Sequence, residues 1–402
     1  MNYNIITNLF DRKNINFIIF ASCIYLLIQP YFVWDIERLQ IILFFPLILI
    51  SFLYVKKITN KDIIILMLFV YIYVYMAGGR NIFGYINSLF FLTFLIIKEK
   101  LIVNAFYWFK LFFVSGLVLS LIVYIMVLFF TVPISFNIIK PLNQLKLNDY
   151  VQYPFLVSEG VLSFSRINVR FNGMFDEPGV IGSVAVILLF ADKFNLKSKQ
   201  NIVLLIAGIF SLSLYFIVSS LIYFLIFTKN KIKFIFAFIV ILFYLSTMNN
   251  STITLLVWDR FTFEGSKFKG DNRSNAWLDE AFYKLFKSED LLWGKGFYSI
   301  QKTELMGASS YKSLFVGYGV VFVGILLLTF YLLAYINIKD KKLLAVYLFM
   351  FVGMMYQRPG MLYFPGSFFL LIASIYVIKN NQVVTYSIPI DNRLILSSKN
   401  VK

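Results

Sequence analysis

Of 402 residues, 60% are hydrophobic and only 14% charged, with 47 Phe and 26 Tyr, a composition that excludes an ordinary soluble domain and marks a polytopic membrane protein. Histidine is absent, which removes Ser-His-Asp chemistry and imidazole-ligated zinc and leaves carboxylates, Lys, Tyr and Arg to carry any reaction. The net charge of +17 would suit nucleic acid in sum, but its placement in short loops between apolar runs makes it a topology signal, and no nucleic-acid partner is expected.

Runs long enough to cross a hydrocarbon core of about 30 Å occur near residues 15–34, 38–55, 63–78, 82–97, 105–131, 178–191, 232–248, 313–335, 343–357 and 361–378. The first follows Arg12 and Lys13, holds the single cysteine Cys23, and is expected to be retained as a span. Segment 201–228 has two readings. As one long helix it carries the cluster Lys229, Lys231 and Lys233 to the outer side; as a hairpin turning near Ser211 to Ser213, or at Ser219 and Ser220, it keeps that cluster inside. With the hairpin, Arg12, Lys56, Lys98, Lys193, Lys197, Lys339 and their basic neighbours all lie in cytoplasmic connections. The expected fold is therefore all-α: one integral membrane domain over 1–402, about twelve transmembrane helices, and both termini cytoplasmic.

Two long segments, 131–176 and 249–312, are expected outside. They keep their aromatics (Tyr150, Tyr153, Phe155, Trp258, Trp277, Trp293), which favours ordered structure. The first ends in RFNGMFDEPGVIG, residues 170–182, directly before an apolar run. Pro178 suits the first turn of a helix, and Asp176 or Glu177 suits its cap. Arg166 and Arg170 stand just upstream, Gly173 allows a sharp turn, and an arginine fork matches phosphate oxygens. The structural alternative is an ordinary cap with an ion pair from Arg170 to Asp176 or Glu177.

In the second loop, NAWLDEAFYKLFK places Trp277, Leu278, Ala281, Phe282, Leu285 and Phe286 on one helical face, with Glu280 and Lys284 in the favourable i, i+4 order. This reads as an amphipathic helix in the outer membrane interface. Arg260 and Arg273 lie upstream, and Arg273 stands at the positive end of that helix, where it can meet phosphate or a lipid headgroup. Downstream, WGKGF sets Lys295 between Gly294 and Gly296 in a turn. Charge within the spans is scarce: Arg38, Arg80 and Arg358 fall at outer ends, Lys110 towards the inner end, and no carboxylate is expected mid-span, which argues against an ion-coupled carrier.

The order of these parts, RFNGMFDEPGVIG entering a span, the serine-rich IFSLSLYFIVSS, a large loop with DNRSNAWLDEAF and LLWGKGF, then the Gly-punctuated GYGVVFVGILLL, resembles the O-antigen polymerase and O-antigen ligase superfamily of bacterial polysaccharide assembly. The likeness covers residues 160–330 in motif order and the remainder in topology. It implies a GT-C-like glycosyltransferase architecture in the cytoplasmic membrane, with the active site on the outer face. The implied activity is transfer of a glycan from an undecaprenyl-pyrophosphate carrier, with no nucleotide sugar, metal or other cofactor. By matching motifs, Arg170 with Gly173 and Arg273 are the implied catalytic arginines, and Arg260 is their companion. Arg166, Lys295 and Tyr311 complete the expected pyrophosphate- and glycan-binding set. Members often carry a histidine before the final Gly-rich span, where ASSYKSLFVGYG offers Tyr311 or Ser309; this departure favours the polymerases over the ligases. Glu177 is the first candidate for the general base, with Glu304 and Glu159 behind it. The expected function is repeat-unit polymerisation for O-antigen or capsule, with ligase-type transfer and a non-enzymatic lipid-linked oligosaccharide flippase as alternatives. The implied partners are membrane lipids, a chain-length regulator and a flippase.

Overall fold

A computed structural model describes residues 12–36, 38–78, 90–130, 132–142, 149–162, 170–229, 232, 263–264, 267–268, 274–296 and 310–387. Of the described residues, most are helical (71%). Its helices are α1 (Arg12–Leu27), α2 (Leu39–Leu53), α3 (Asn60–Ala77), α4 (Thr93–Ile96), α5 (Glu99–Phe129), α6 (Pro178–Ala191), α7 (Lys199–Phe210), α8 (Leu214–Phe227), α9 (Ala276–Leu285), α10 (Lys312–Asn337), α11 (Lys341–Gln357) and α12 (Pro365–Ser387). Residues 60–77, 99–128 and 312–337 are long and apolar enough to cross a membrane. Apart from residue 232, the expected span at 232–248 lies outside the described residues, as do Lys231 and Lys233, and of the run at 82–97 only α4 and its flanks are described.

At the centre stands α6. Its sequence is apolar on every face, so it needs protein on every face, and all of its residues except Val180 are buried. Helices α7, α8 and α12 surround it, and α5 packs on α7 and α12. At 1.5 Å per residue, its 14 residues span only about 21 Å, too short to cross a bilayer alone. Segment 201–228 is a hairpin: α7 and α8 turn at Ser211–Ser213, with Leu212 in the left-handed region at φ 47°. Both arms are shorter than a span and pack on α6, which is how short apolar helices satisfy the lipid phase.

One end of the bundle collects the short basic loops. Lys56 N donates to Ile96 O at 2.9 Å and Lys98 N to Tyr54 O at 2.6 Å; Lys379 bridges to Glu99 at 2.7 Å; and Tyr223 OH donates to Lys193 O at 2.8 Å. At the same end Lys110, only 1% exposed, is ion-paired to Asp192 and donates to Asn201 Oδ1 at 2.6 Å, while Asn201 Nδ2 donates to Asn195 O at 2.9 Å. This network joins α5, the C-terminus of α6 and α7 with each charged or polar side chain matched, as a buried ion requires.

The all-α expectation misses a small sheet at the opposite end. The first long loop forms β1 (Asn137–Ile139), β2 (Tyr150–Tyr153) and β3 (Leu156–Ser158), antiparallel in that order, with Asn137 opposite Gln152 and Val151 opposite Ser158. Aromatic and β-branched residues in YVQY and LVS favour strand, and Ser120 Oγ on α5 fastens the β2–β3 turn by donating to Phe155 O at 2.5 Å. In the second loop β4 (Phe263–Glu264) pairs with β5 (Lys267–Phe268).

Helix α10 is broken at Gly319 (φ 78°, ψ 174°), and the WGKGF turn fills the gap. Lys295 N donates to Val316 O at 2.8 Å, Gly296 N to Gly317 O at 3.0 Å, and Val321 N to Leu292 O at 3.2 Å. The groups freed by the break are thus answered by the loop, which a helix interrupted in an apolar setting requires. A Cβ on Gly319 would overlap the Leu292 carbonyl, whereas one on Gly324, a turn later, meets nothing within 4 Å. Gly319→Ala should therefore lower stability by about 2–4 kcal/mol through strain and lost docking, and Gly324→Ala should be neutral or slightly stabilising. Thermal unfolding in detergent checks this pair; equal behaviour of the two variants would contradict the docking.

Candidate functional site

Residues 170–178 form an irregular strip that reaches α6 and is stitched along both sides. Phe171 N donates to Phe210 O at 3.1 Å, Val157 N to Gly173 O at 2.7 Å, Tyr31 N to Met174 O at 2.7 Å, and Tyr150 OH to Asp176 O at 2.6 Å. Gly173 takes φ 55°, the left-handed conformation that turns the strip.

Arg170 reaches the turn between α7 and α8. Its Nε donates to Ser211 O at 3.1 Å and its Nη2 to Leu212 O at 3.5 Å. These carbonyls end α7, where partial negative charge collects and a cation is favoured. The strip thus carries the Arg170 guanidinium to the hairpin turn.

Glu177 occupies the N-cap of α6 with Pro178 at the first helical position, yet its side chain makes no capping hydrogen bond. It is ion-paired with Arg358, which is 181 residues away and caps the C-terminus of α11. The guanidinium lies across Gly179, where a Cβ would overlap it. The two side chains are 34% and 15% exposed, so the pair is partly shielded from water and held more firmly than a surface bridge.

Asp176, Glu177 and Arg358 face a cavity of about 430 Å³ between the end of α1, the start of α6 and the segment leading into α12, with Phe175, Val180 and Phe364 among its apolar walls. The volume falls in the range of small-molecule sites, about 300–1,000 Å³. Burial, and then the carboxylates of Asp176, Glu159 and Glu177, push the Tyr150 hydroxyl far above its usual range, so it remains a proton donor to the strip.

The second loop is anchored on α10. Leu278, Ala281 and Leu285 of α9 pack on Val316, and Phe282 joins them, so α10 covers much of the apolar face expected to meet lipid; Tyr283 and Phe286 stay exposed. Asp279 is buried and bridges to Lys312 at 2.5 Å, while the Glu280–Lys284 pair at 2.6 Å is solvent-exposed and holds the Glu280 carboxyl below its usual range. Tyr311 stacks on Tyr356 at 4.8 Å, two residues before Arg358. Lys295 sits at the α10 break, held through its backbone. Arg166, Arg260, Arg273, Glu304 and Ser309 lie outside the described residues.

Of the expected residues, then, Glu177 lines the cavity, Arg170 and Gly173 belong to the strip beside it, Tyr311 touches the element carrying Arg358, and Lys295 lies on α10. Arg358 is the residue that sequence reasoning left out of the site. Its signal was an arginine at a span end, followed by Pro-Gly. Among the described residues no three potential metal ligands cluster. Compared with known proteins, the chain matches no family model, no curated protein and no solved structure.

If the Glu177–Arg358 pair holds this end together, Glu177→Gln and Arg358→Gln should each destabilise the protein, and the double variant should recover part of the loss. The coupling should be on the order of 1–3 kcal/mol. Unfolding of the four proteins in detergent measures it, and additive single effects would contradict the pairing.

Proposed function

We propose that this chain is a glycosyltransferase of the cytoplasmic membrane that polymerises lipid-linked oligosaccharide repeat units for O-antigen or capsule. On this reading about twelve helices cross the membrane in a GT-C-like arrangement, both termini are cytoplasmic, and the cavity opens on the outer face. The observation that carries the reading is the position of Glu177. It belongs to the strip that resembles the superfamily's arginine motif and faces a cavity at the end of α6 opposite the short basic loops. The positive-inside rule assigns those loops to the cytoplasm and so assigns the cavity to the outside.

The proposed reaction joins two lipid-linked units. A sugar hydroxyl of the incoming unit attacks the anomeric carbon of the growing chain, and a new C–O bond forms there. The bond from that carbon to the undecaprenyl pyrophosphate breaks, the carrier leaves with the electron pair, and the hydroxyl proton passes to the Glu177 carboxylate. Arg358 orients that carboxylate through the ion pair. Stabilising the departing pyrophosphate falls to arginines on this face, with Arg170 and Arg273 the candidates. Arg170 also has the structural task of holding the hairpin turn, so its variants need a stability measurement beside the activity.

Deletion of the gene should leave single repeat units on the cell surface with no longer ladder, and the wild-type chain should restore the ladder on a polysaccharide gel. Absence of attached glycan would indicate a ligase instead, and units trapped inside would indicate a flippase. Purified protein should also extend lipid-linked units in excess EDTA, because arginines, not a divalent ion, are proposed to offset the leaving-group charge. Complete loss restored by one specific divalent ion would contradict that mechanism.

A further inference from the structure

Helices α3, α10 and α11 act as separate rulers, and all of them end at one aromatic rim. From Asn60 to Tyr75, from Gly319 to Asn337 and from Lys341 to Tyr356 the axial lengths are about 22, 27 and 22 Å at 1.5 Å per residue, close to a hydrocarbon core of about 30 Å. Lys61, Lys339 and Lys341 mark the inner boundary at one end. At the other end each ruler meets the second loop or the residue that leads from it into α10. Tyr75 OH donates to Trp293 O at 2.5 Å, a Cβ on Gly319 would overlap the Leu292 carbonyl, and Tyr356 stacks on Tyr311, just before α10. Between these ends the outward sides of the helices are apolar, with Met67, Leu328 and Val352 exposed.

The rim continues that apolar surface. At about 100° per residue, Phe282, Tyr283 and Phe286 fall together on one flank of α9 and Glu280 and Lys284 on the other. Tyr283, Phe286, Leu292 and Trp293 are each more than half exposed. A phenol or indole with one apolar and one polar end suits the layer between headgroups and acyl chains, and a contiguous exposed apolar patch marks a surface that something covers.

From the coincidence of the rulers with this patch we infer that the rim formed by Phe286, Leu292, Trp293 and Tyr356 is a lipid-docking surface, seated in the headgroup layer of the outer leaflet. The charged flank of α9 faces water and its aromatic flank faces lipid. Arg358, two residues beyond Tyr356, and the cavity it lines then lie at headgroup depth. The inference rests on α3, α10 and α11 crossing the membrane and not on the polymerase reaction.

The test uses the full chain with Cys23→Ala in nanodiscs of phosphatidylcholine and phosphatidylglycerol, which leave both faces open to water. Nitroxide labels are placed on Phe286→Cys, Trp293→Cys, Glu280→Cys and Leu328→Cys, and their collisions with oxygen and with a water-soluble nickel complex report depth. Labels at 286 and 293 should lie on the order of 5–10 Å below the phosphates, the label at 328 deeper, and the label at 280 in water. A second measurement needs no label. Quenching of tryptophan emission by brominated phosphatidylcholine should lose a component when Trp293→Phe is introduced into the native chain. Labels at 286 and 293 as open to nickel as the one at 280, with 328 deep, would overturn the docking surface alone. Labels there shielded from both reagents would mean that protein covers the rim, which also overturns it. A label at 328 in water would overturn the membrane crossing of α10 and the inference with it. Quenching unchanged by Trp293→Phe would count against the rim whatever the labelled variants do.

Discussion

A 14-residue helix buried on all sides, with an ion pair at each end, is the constraint from which the rest of the structure follows. Helix α6 is too short to bring its ends to both membrane surfaces, so its termini stop inside protein. Charges in such places persist only with matched partners. At the N-terminus Arg358 of α11 answers Glu177; at the C-terminus Lys110 of α5, which also donates to Asn201 of α7, answers Asp192. The two pairs join helices distant in sequence to one central rod and fix their heights along it. The arrangement also leaves a cavity with charged and apolar walls at one end of α6 and a hydrogen-bonded polar network at the other.

The second long loop depends on the same end of the bundle. Lys312 would be unfavourable at the positive end of α10, and the Asp279 carboxylate from α9 balances it while docking that helix. The break at Gly319 then admits the WGKGF backbone, and Tyr311 stacks on Tyr356 just before Arg358. Loop, broken helix and cavity wall are therefore mechanically continuous, so a change in the loop at α10 has a packed route to Arg358.

Much of the helical layer was legible because apolar runs and turn residues are local signals. Pro178 marked the start of α6, and the serines at 211–213 marked the hairpin turn, although sequence alone left a single long helix open. The strands of the first loop were not read, because three- and four-residue segments such as LVS and YVQY are too short to establish a period of two. The site was legible only in part. Glu177 stood out beside Pro178, but its partner Arg358 is on another helix, and nothing in a linear sequence ties residues 177 and 358. Arg170 invited pairing with nearby carboxylates, yet the turn at Gly173 and the backbone bonds of the strip carry it to the Ser211 and Leu212 carbonyls. Asp279 lies in the first turn of α9, where an acidic residue suits the helix dipole, whereas its burial and its bridge to Lys312 arise from tertiary packing.

The central claim is that the Glu177 carboxylate, held by Arg358 at the start of α6, takes the proton of the attacking sugar hydroxyl. The most direct measurement is the single-turnover rate of joining two lipid-linked repeat units by purified Glu177→Gln protein, compared with wild type at equal amounts of folded protein. Glutamine keeps the shape of the side chain and removes its capacity as a base. The account predicts a rate lower by a factor on the order of 10² to 10⁴, with binding of the units little changed. A rate near that of the wild type would contradict it.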